Sequence, residues 1–168
     1  AAANRQHFNH VDIAQLANVD SVKFLNDAYI VGDVTIVTGQ VRSASEVHLT
    51  GSLSDDAAPR WKAVQTTLNG STQTLPSEVA TNLTFASLFT AQNATTVHGN
   101  VQTLPAGTLR LNGKALHVNG TVYINGGGLE IVVLMANPVV AIRPRISGSG
   151  SVQPAASGGK GVSAGHST

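Results

Sequence analysis

The chain has 168 residues, ten lysines and arginines against nine acids, a net charge of +1 and no cysteine. That length fits one domain with a genuine core, and the charge balance gives no reason to expect a nucleic-acid or anionic-membrane partner. The absence of cysteine excludes disulfides, zinc–thiolate sites and cysteine nucleophiles. Only 11% of residues are charged, against about 25% in ordinary domains, so copies are free to approach one another closely.

Residues 1–27 place Val11, Ile13, Leu16, Val19, Val22, Phe24 and Leu25 in neither helical nor alternating order. They read as an N-terminal arm or short helix. Signal-peptide cleavage would leave an Ala1-Ala2-Ala3-Asn4 start, as would removal of an initiator Met; the first reading is preferred, and an extracellular or cell-surface location is expected. From Tyr29 the pattern turns to β. Val34 and Ile36 alternate with polar neighbours, Val47 and Leu49 flank His48, and Gly32, Gly39 and Gly51 punctuate the strands.

This segment occurs twice. Allowing two one-residue insertions, residues 31–53 match residues 98–122. Gly32-Asp33-Val34 lies over Gly99-Asn100-Val101, and Gly39-Gln40-Val41-Arg42 over Gly107-Thr108-Leu109-Arg110. The stretch from Val47 to Leu53 lies over Leu116 to Val122. Such self-similarity marks a repeated supersecondary unit. In the second copy Asn112-Gly113, Asn119-Gly120 and Asn125-Gly126 are turn signals, leaving minimal strands at Leu109–Leu111, Leu116–Val118 and Val122–Ile124. The expected fold is mainly β: a duplicated short-strand unit, either β-solenoid-like or a compact β-sandwich. Over residues 31–53 and 98–131 the rungs resemble the hexapeptide-like rungs of bacterial β-solenoid proteins such as bactofilins, and that resemblance implies the solenoid.

Between the copies, residues 54–96 read as a helical insert within a β-rich domain spanning 28–146. Asp55-Asp56 followed by Pro59 resembles a helix start, with Trp61, Val64 and Leu68 on one face. Pro76-Ser77-Glu78 begins a second, carrying Val79, Leu83, Ala86 and Phe89; Leu83, Phe85 and Phe89 also fit a strand. The apolar run from Leu129 to Ala136 is too short to cross a membrane and holds Glu130. Residues 147–168 are rich in Gly, Ser and Ala, a tail that cannot order itself and is expected to order against a neighbouring subunit.

Candidate chemistry is sparse. His7, His10 and Asp12 offer three metal-ligating groups, but read better as a polar arm. His48 and His117, like Arg42 and Arg110, occupy matching places in the two copies; a repeated His can be a general base, as in solenoid acyltransferases, whose active-site His lies between subunits. No acidic partner recurs with these two, and their apolar flanks turn both outward. Asp55-Asp56, with Asp33 and Glu46, is a weak carboxylate pair for glycoside chemistry. Gly126-Gly127-Gly128 reads as a turn, and Arg143-Pro144-Arg145 as an interface or solvated cluster. Asn69, Asn82, Asn93 and Asn119 head N-glycosylation sequons. No catalytic, cofactor or metal residue is assigned. The expected function is a non-enzymatic structural subunit assembling with copies of itself into an extracellular filament. A virion component is the alternative, and a glycan- or surface-binding module using Trp61, Tyr29 and Tyr123 the next. A solenoid enzyme using His48 or His117 comes last.

Overall fold

Alternating residues interrupted every few positions by Gly, Asn or Asp favour short strands joined by bends. The computed structural model describes residues 5–14, 21–55, 59–131, 146–148 and 151–154, and there the bends wind one chain into a stack of parallel strands. The first turn holds β1 (Gln6–Phe8), β2 (Val11–Ala14) and β3 (Ser21–Phe24). The second holds β4 (Ala28–Ile30), β5 (Val34–Thr38) and the start of β6 (Gln40–Leu49). β6 runs round a corner with a register shift between Ser43 and Glu46, and β7 (Leu53–Asp55) and β8 (Trp61–Leu68) carry the chain onward. Then come β9 (Glu78–Val79), β10 (Asn82–Phe85), β11 (Leu88–Thr90) and β12 (Thr95–Val97). The next turn is β13 (Val101–Thr103), β14 (Thr108–Arg110) and β15 (Leu116–Val118). β16 (Val122–Ile124), β17 (Gly128–Ile131), β18 (Ile146–Gly148) and β19 (Ser151–Pro154) follow.

Three faces result. The first is a continuous parallel sheet in the order β1-β4-β6-β8-β10-β13-β16-β18. The second comprises β2-β5-β7 and β11-β14-β17-β19, with the Leu53 N–H donating to Thr74 O between them. The third runs from β3 through the start of β6 and of β8. It continues into β9-β12-β15 through the bond from Ala80 N–H to Trp61 O. The architecture is a β-solenoid-like coil, one stack rather than a sandwich.

Inside, like residues stack on like. On the first face Ala28, Val47, Thr66, Leu83, Val101 and Val122 form one inner column. Ile30, Leu49, Leu68, Phe85, Thr103 and Ile124 form the other. Full burial of each large apolar side chain contributes about 1.5–3 kcal/mol, and Trp61 is the bulkiest, wholly enclosed. Its indole N–H donates to Thr66 Oγ1 at 2.8 Å, which in turn lies 3.0 Å from Thr81 Oγ1.

Corners are where the turns touch most closely. A Cβ on Gly51 would lie 2.2 Å from the Gly32 carbonyl oxygen one turn below, so only glycine lets the backbones stack there. Side chains tie other corners: Asp33 Oδ1 accepts the Ser52 N–H at 2.6 Å, Asn82 Oδ1 accepts that of Asn100, and Asn100 Oδ1 that of Thr121 (both 2.9 Å). These partners lie 19, 18 and 21 residues apart, so turn length varies. The Asn-Gly pairs differ in what they do. Asn112 and Gly113 both take positive φ (50° and 72°), whereas only Gly126 does so at 125–126, and at 119–120 neither does.

The two sequence copies are related in an unexpected way. Gly32-Asp33-Val34 leads into the second face at β5, but Gly99-Asn100-Val101 into the first at β13. Gln40–Arg42 and Thr108–Arg110 are likewise one face apart, as are Val47–Leu49 and Leu116–Val118. The repeated unit is a single strand with its corner, not a whole turn, because every face poses the same local problem.

The helical insert expected over 54–96 is absent from its described residues, which form β7 to β12 and the corners between them. Trp61 and Leu68 do point inward, but as members of a strand, and Val64 lies at the bend, exposed. Parallel neighbours on both sides of β8 satisfy its backbone, and β-branched Thr66, Thr67 and Thr84 suit that setting. The stretch 1–27, expected as an arm or short helix, contributes three strands in its described part. Within the Gly/Ser-rich segment 147–168, β18 and β19 pair with β16 and β17 of the same chain; residues 155–168, and Arg143-Pro144-Arg145, lie outside the described residues.

Candidate functional site

With the apolar residues turned inward, the outward residues line up one per turn, and these columns are the candidate functional surface. On the first face His7, Tyr29 and His48 stand in register. The His7 and Tyr29 rings stack at 5.2 Å and Tyr29 and His48 at 4.3 Å, nearly parallel. The Arg5 guanidinium sits 5.3 Å from the Tyr29 ring centre, a cation–π arrangement. His48 Nε2 also lies 3.6 Å from Glu46 Oε2, and Glu46 accepts a hydrogen bond from Thr67 Oγ1.

Further along this face the column turns to hydroxyls and amides. Gln65 and Gln102 both donate to Thr84 Oγ1, at 2.6 and 2.8 Å. With Asn82, Asn100 and Tyr123 they line a shallow polar depression. Tyr123 is 38% exposed at its edge.

The third face presents Lys23, Arg42 and Lys62 in direct register on successive turns. Higher on the same face, His98 Nε2 lies 3.0 Å from Glu78 Oε2, and its Nδ1 is 2.9 Å from Asn119 Nδ2. The amide donates to Nδ1, so Nε2 carries the proton and donates to Glu78.

The first turn ends the described stack. Among the described residues β1, β2 and β3 each pair on one side only. Gln6 N–H, Phe8 C=O and Val11 N–H bond to the next turn. Backbone groups alternate in direction along a strand, so His7 and Asp12 present theirs to the open side. Phe8, Val11 and Val22 pack against the core yet stay partly exposed, unlike their equivalents deeper in the stack.

Several residues singled out from sequence are separated by this geometry. His7 belongs to the aromatic column, while His10 pairs instead with Asp12 at 3.0 Å. Among the described residues no group of three His, Cys, Asp or Glu is placed to hold a metal ion. His48 and His117 face outward, on the first and third faces respectively. Arg42 and Arg110 are likewise on different faces. Asp55 approaches Arg60, its Oδ1 3.9 Å from Nε, while Asp33 caps a corner and Asp56 lies outside the described residues. Trp61 is enclosed and offers no platform to a glycan. Of the sequon residues, Asn82 and Asn93 are half-buried and donate their amide N–H groups to the Val64 and Leu75 carbonyls, whereas Asn69 and Asn119 are exposed, Asn119 with its amide on His98.

The columns themselves were not read from sequence. Their signal is a recurrence of like residues at variable turn lengths, such as Lys23, Arg42 and Lys62, and it appears only once the register is known. No family model, curated protein or solved structure matches this chain.

Proposed function

We propose that this chain is a non-enzymatic structural subunit that assembles end to end with copies of itself into an extracellular filament. The observation that carries the reading is the first described turn, whose strands pair on one side only among the described residues and whose Phe8, Val11 and Val22 stay partly exposed above the core. A turn from another copy is the natural cover, because every interior turn of this chain already covers its neighbour in that way. Such nearest-neighbour stacking is how solenoids gain stability, and an end left uncovered extends it between chains. The outward residues contribute no step to this role.

The test is electron microscopy of the protein beside light scattering, with Asp12→Pro as the blocking variant. Proline there removes an N–H that faces the open side and no bond to the next turn. Regular filaments from the parent chain and folded monomers from the variant are expected. Unaltered assembly by the variant rejects the coil end as the interface. A monodisperse parent chain rejects the reading altogether, in favour of a glycan- or surface-binding module built on Tyr123 and its amide neighbours.

A further inference from the structure

The third face carries a feature that assembly does not use. Lys23 and Arg42 are exposed and Lys62 is half-buried, and the three are Cα partners on adjacent strands. Parallel strands lie about 4.8 Å apart, and like charges placed directly opposite one another destabilise a sheet. Three cations in a file therefore work against the fold, in a chain whose net charge is only +1.

Among the described residues the carboxylates bordering this face are engaged elsewhere. Asp27 accepts the Glu46 N–H, Asp55 approaches Arg60, and Glu78 holds His98. Gln40 Oε1 accepts from Arg42 Nη2 at 3.3 Å, which holds the guanidinium in place and sets a carboxamide beside it.

We infer that the Lys23–Arg42–Lys62 file is a binding site for a linear acidic polysaccharide lying along the coil axis. The match is one of charge and chemistry. A polyuronate carries one anion per sugar along its whole length, the long Lys23 and Lys62 side chains can reach carboxylates on either side of the chain, and the Gln40 carboxamide beside Arg42 suits the hydroxyls between them. A nucleic-acid strand fits less well. Single-stranded binding sites combine basic grooves with aromatic stacking platforms, and the file and its flanks (Ser21, Gln40, Arg60) hold no aromatic residue. The site does not depend on end-to-end assembly, since all three residues point away from the stacking direction.

The experiment measures binding of the full chain to polygalacturonate oligomers, to a neutral oligosaccharide of equal length and to oligothymidylate of equal charge. The parent chain is compared with the triple variant Lys23→Gln/Arg42→Gln/Lys62→Gln, the single variant Arg42→Gln and the remote control Lys114→Gln. Each is also measured in the Asp12→Pro background, so that failed assembly and failed binding are read separately. Expected are preference for the polyuronate, weakening with salt, at least tenfold loss in the triple variant, intermediate loss in Arg42→Gln and none in Lys114→Gln. Should the triple variant not fold, Arg42→Gln against Lys114→Gln decides. Equal binding of the neutral oligomer, or equal binding by the variants, overturns the site. Preference for oligothymidylate overturns it in favour of nucleic acid.

Discussion

Thr66 and Thr103 share the interior of the first face but not its satisfaction. The Thr66 hydroxyl receives the Trp61 indole N–H and lies within hydrogen-bond distance of Thr81. The Thr103 hydroxyl, stacked between Phe85 and Ile124, has no partner among the described residues. A buried hydroxyl without a partner carries its desolvation cost uncompensated, and replacing it with a methyl of the same shape removes that cost. Thr103→Val is therefore expected to stabilise the chain by about 1 kcal/mol, read as a rise in Tm of about 2–4 °C for a domain of this size. A fall in Tm would mean the hydroxyl is satisfied after all. Residue-level readings from sequence succeeded where flanking residues carried the information. The apolar neighbours of His48 and His117 correctly turn both outward. They failed for Trp61, because a lone aromatic in a polar-rich stretch looks the same whether it plugs a core or faces a ligand.

The strands posed a harder problem, and β8 shows why. Trp61, Val64 and Leu68 have helical spacing, whereas the structure buries Trp61, Ala63, Thr66 and Leu68 and leaves Val64 59% exposed. The bend near Val64 breaks the two-residue period, so neither template fits the string of letters. What decides is pairing with strands 17 to 20 residues away in sequence, as in Gln65 beside Asn82 and Trp61 beside Val41, and no local window contains it. The two readings make opposite forecasts. In the strand, Val64→Lys stays within about 0.5 kcal/mol of the parent, while Ala63→Lys buries a charge and prevents folding. In a helix with Trp61, Val64 and Leu68 inward, Val64→Lys would be the damaging change. Thermal unfolding of the two variants separates them. The same variable turn length hid the outward columns, whereas the Gly-Asp-Val and Gly-Asn-Val corners stayed legible because each is complete within three residues.

For the whole molecule, stacking makes stability a sum of nearest-neighbour terms, so the stack should open from its ends. Among the described residues, strands β6, β8 and β10 pair on both sides, and β1 and β2 on one. Amides of Leu49, Leu68 and Phe85 are expected to exchange with solvent at least about tenfold more slowly than those of Phe8 and Ile13, about 1.4 kcal/mol in opening free energy. Uniform protection along the first face would instead mean a single cooperative unit. The measurement also bears on assembly, because alternation assigns each amide a side. In monomers the His7 and Asp12 amides, which face the open side, exchange fast whatever the stability of the turns behind them. A copy stacked on that end would slow these two together with Phe8 and Ile13, since the covered turn can no longer fray. A copy bound to the outer columns would leave His7 and Asp12 fast. The pattern of protection on assembly thus distinguishes growth along the coil axis from lateral contact through the side chains.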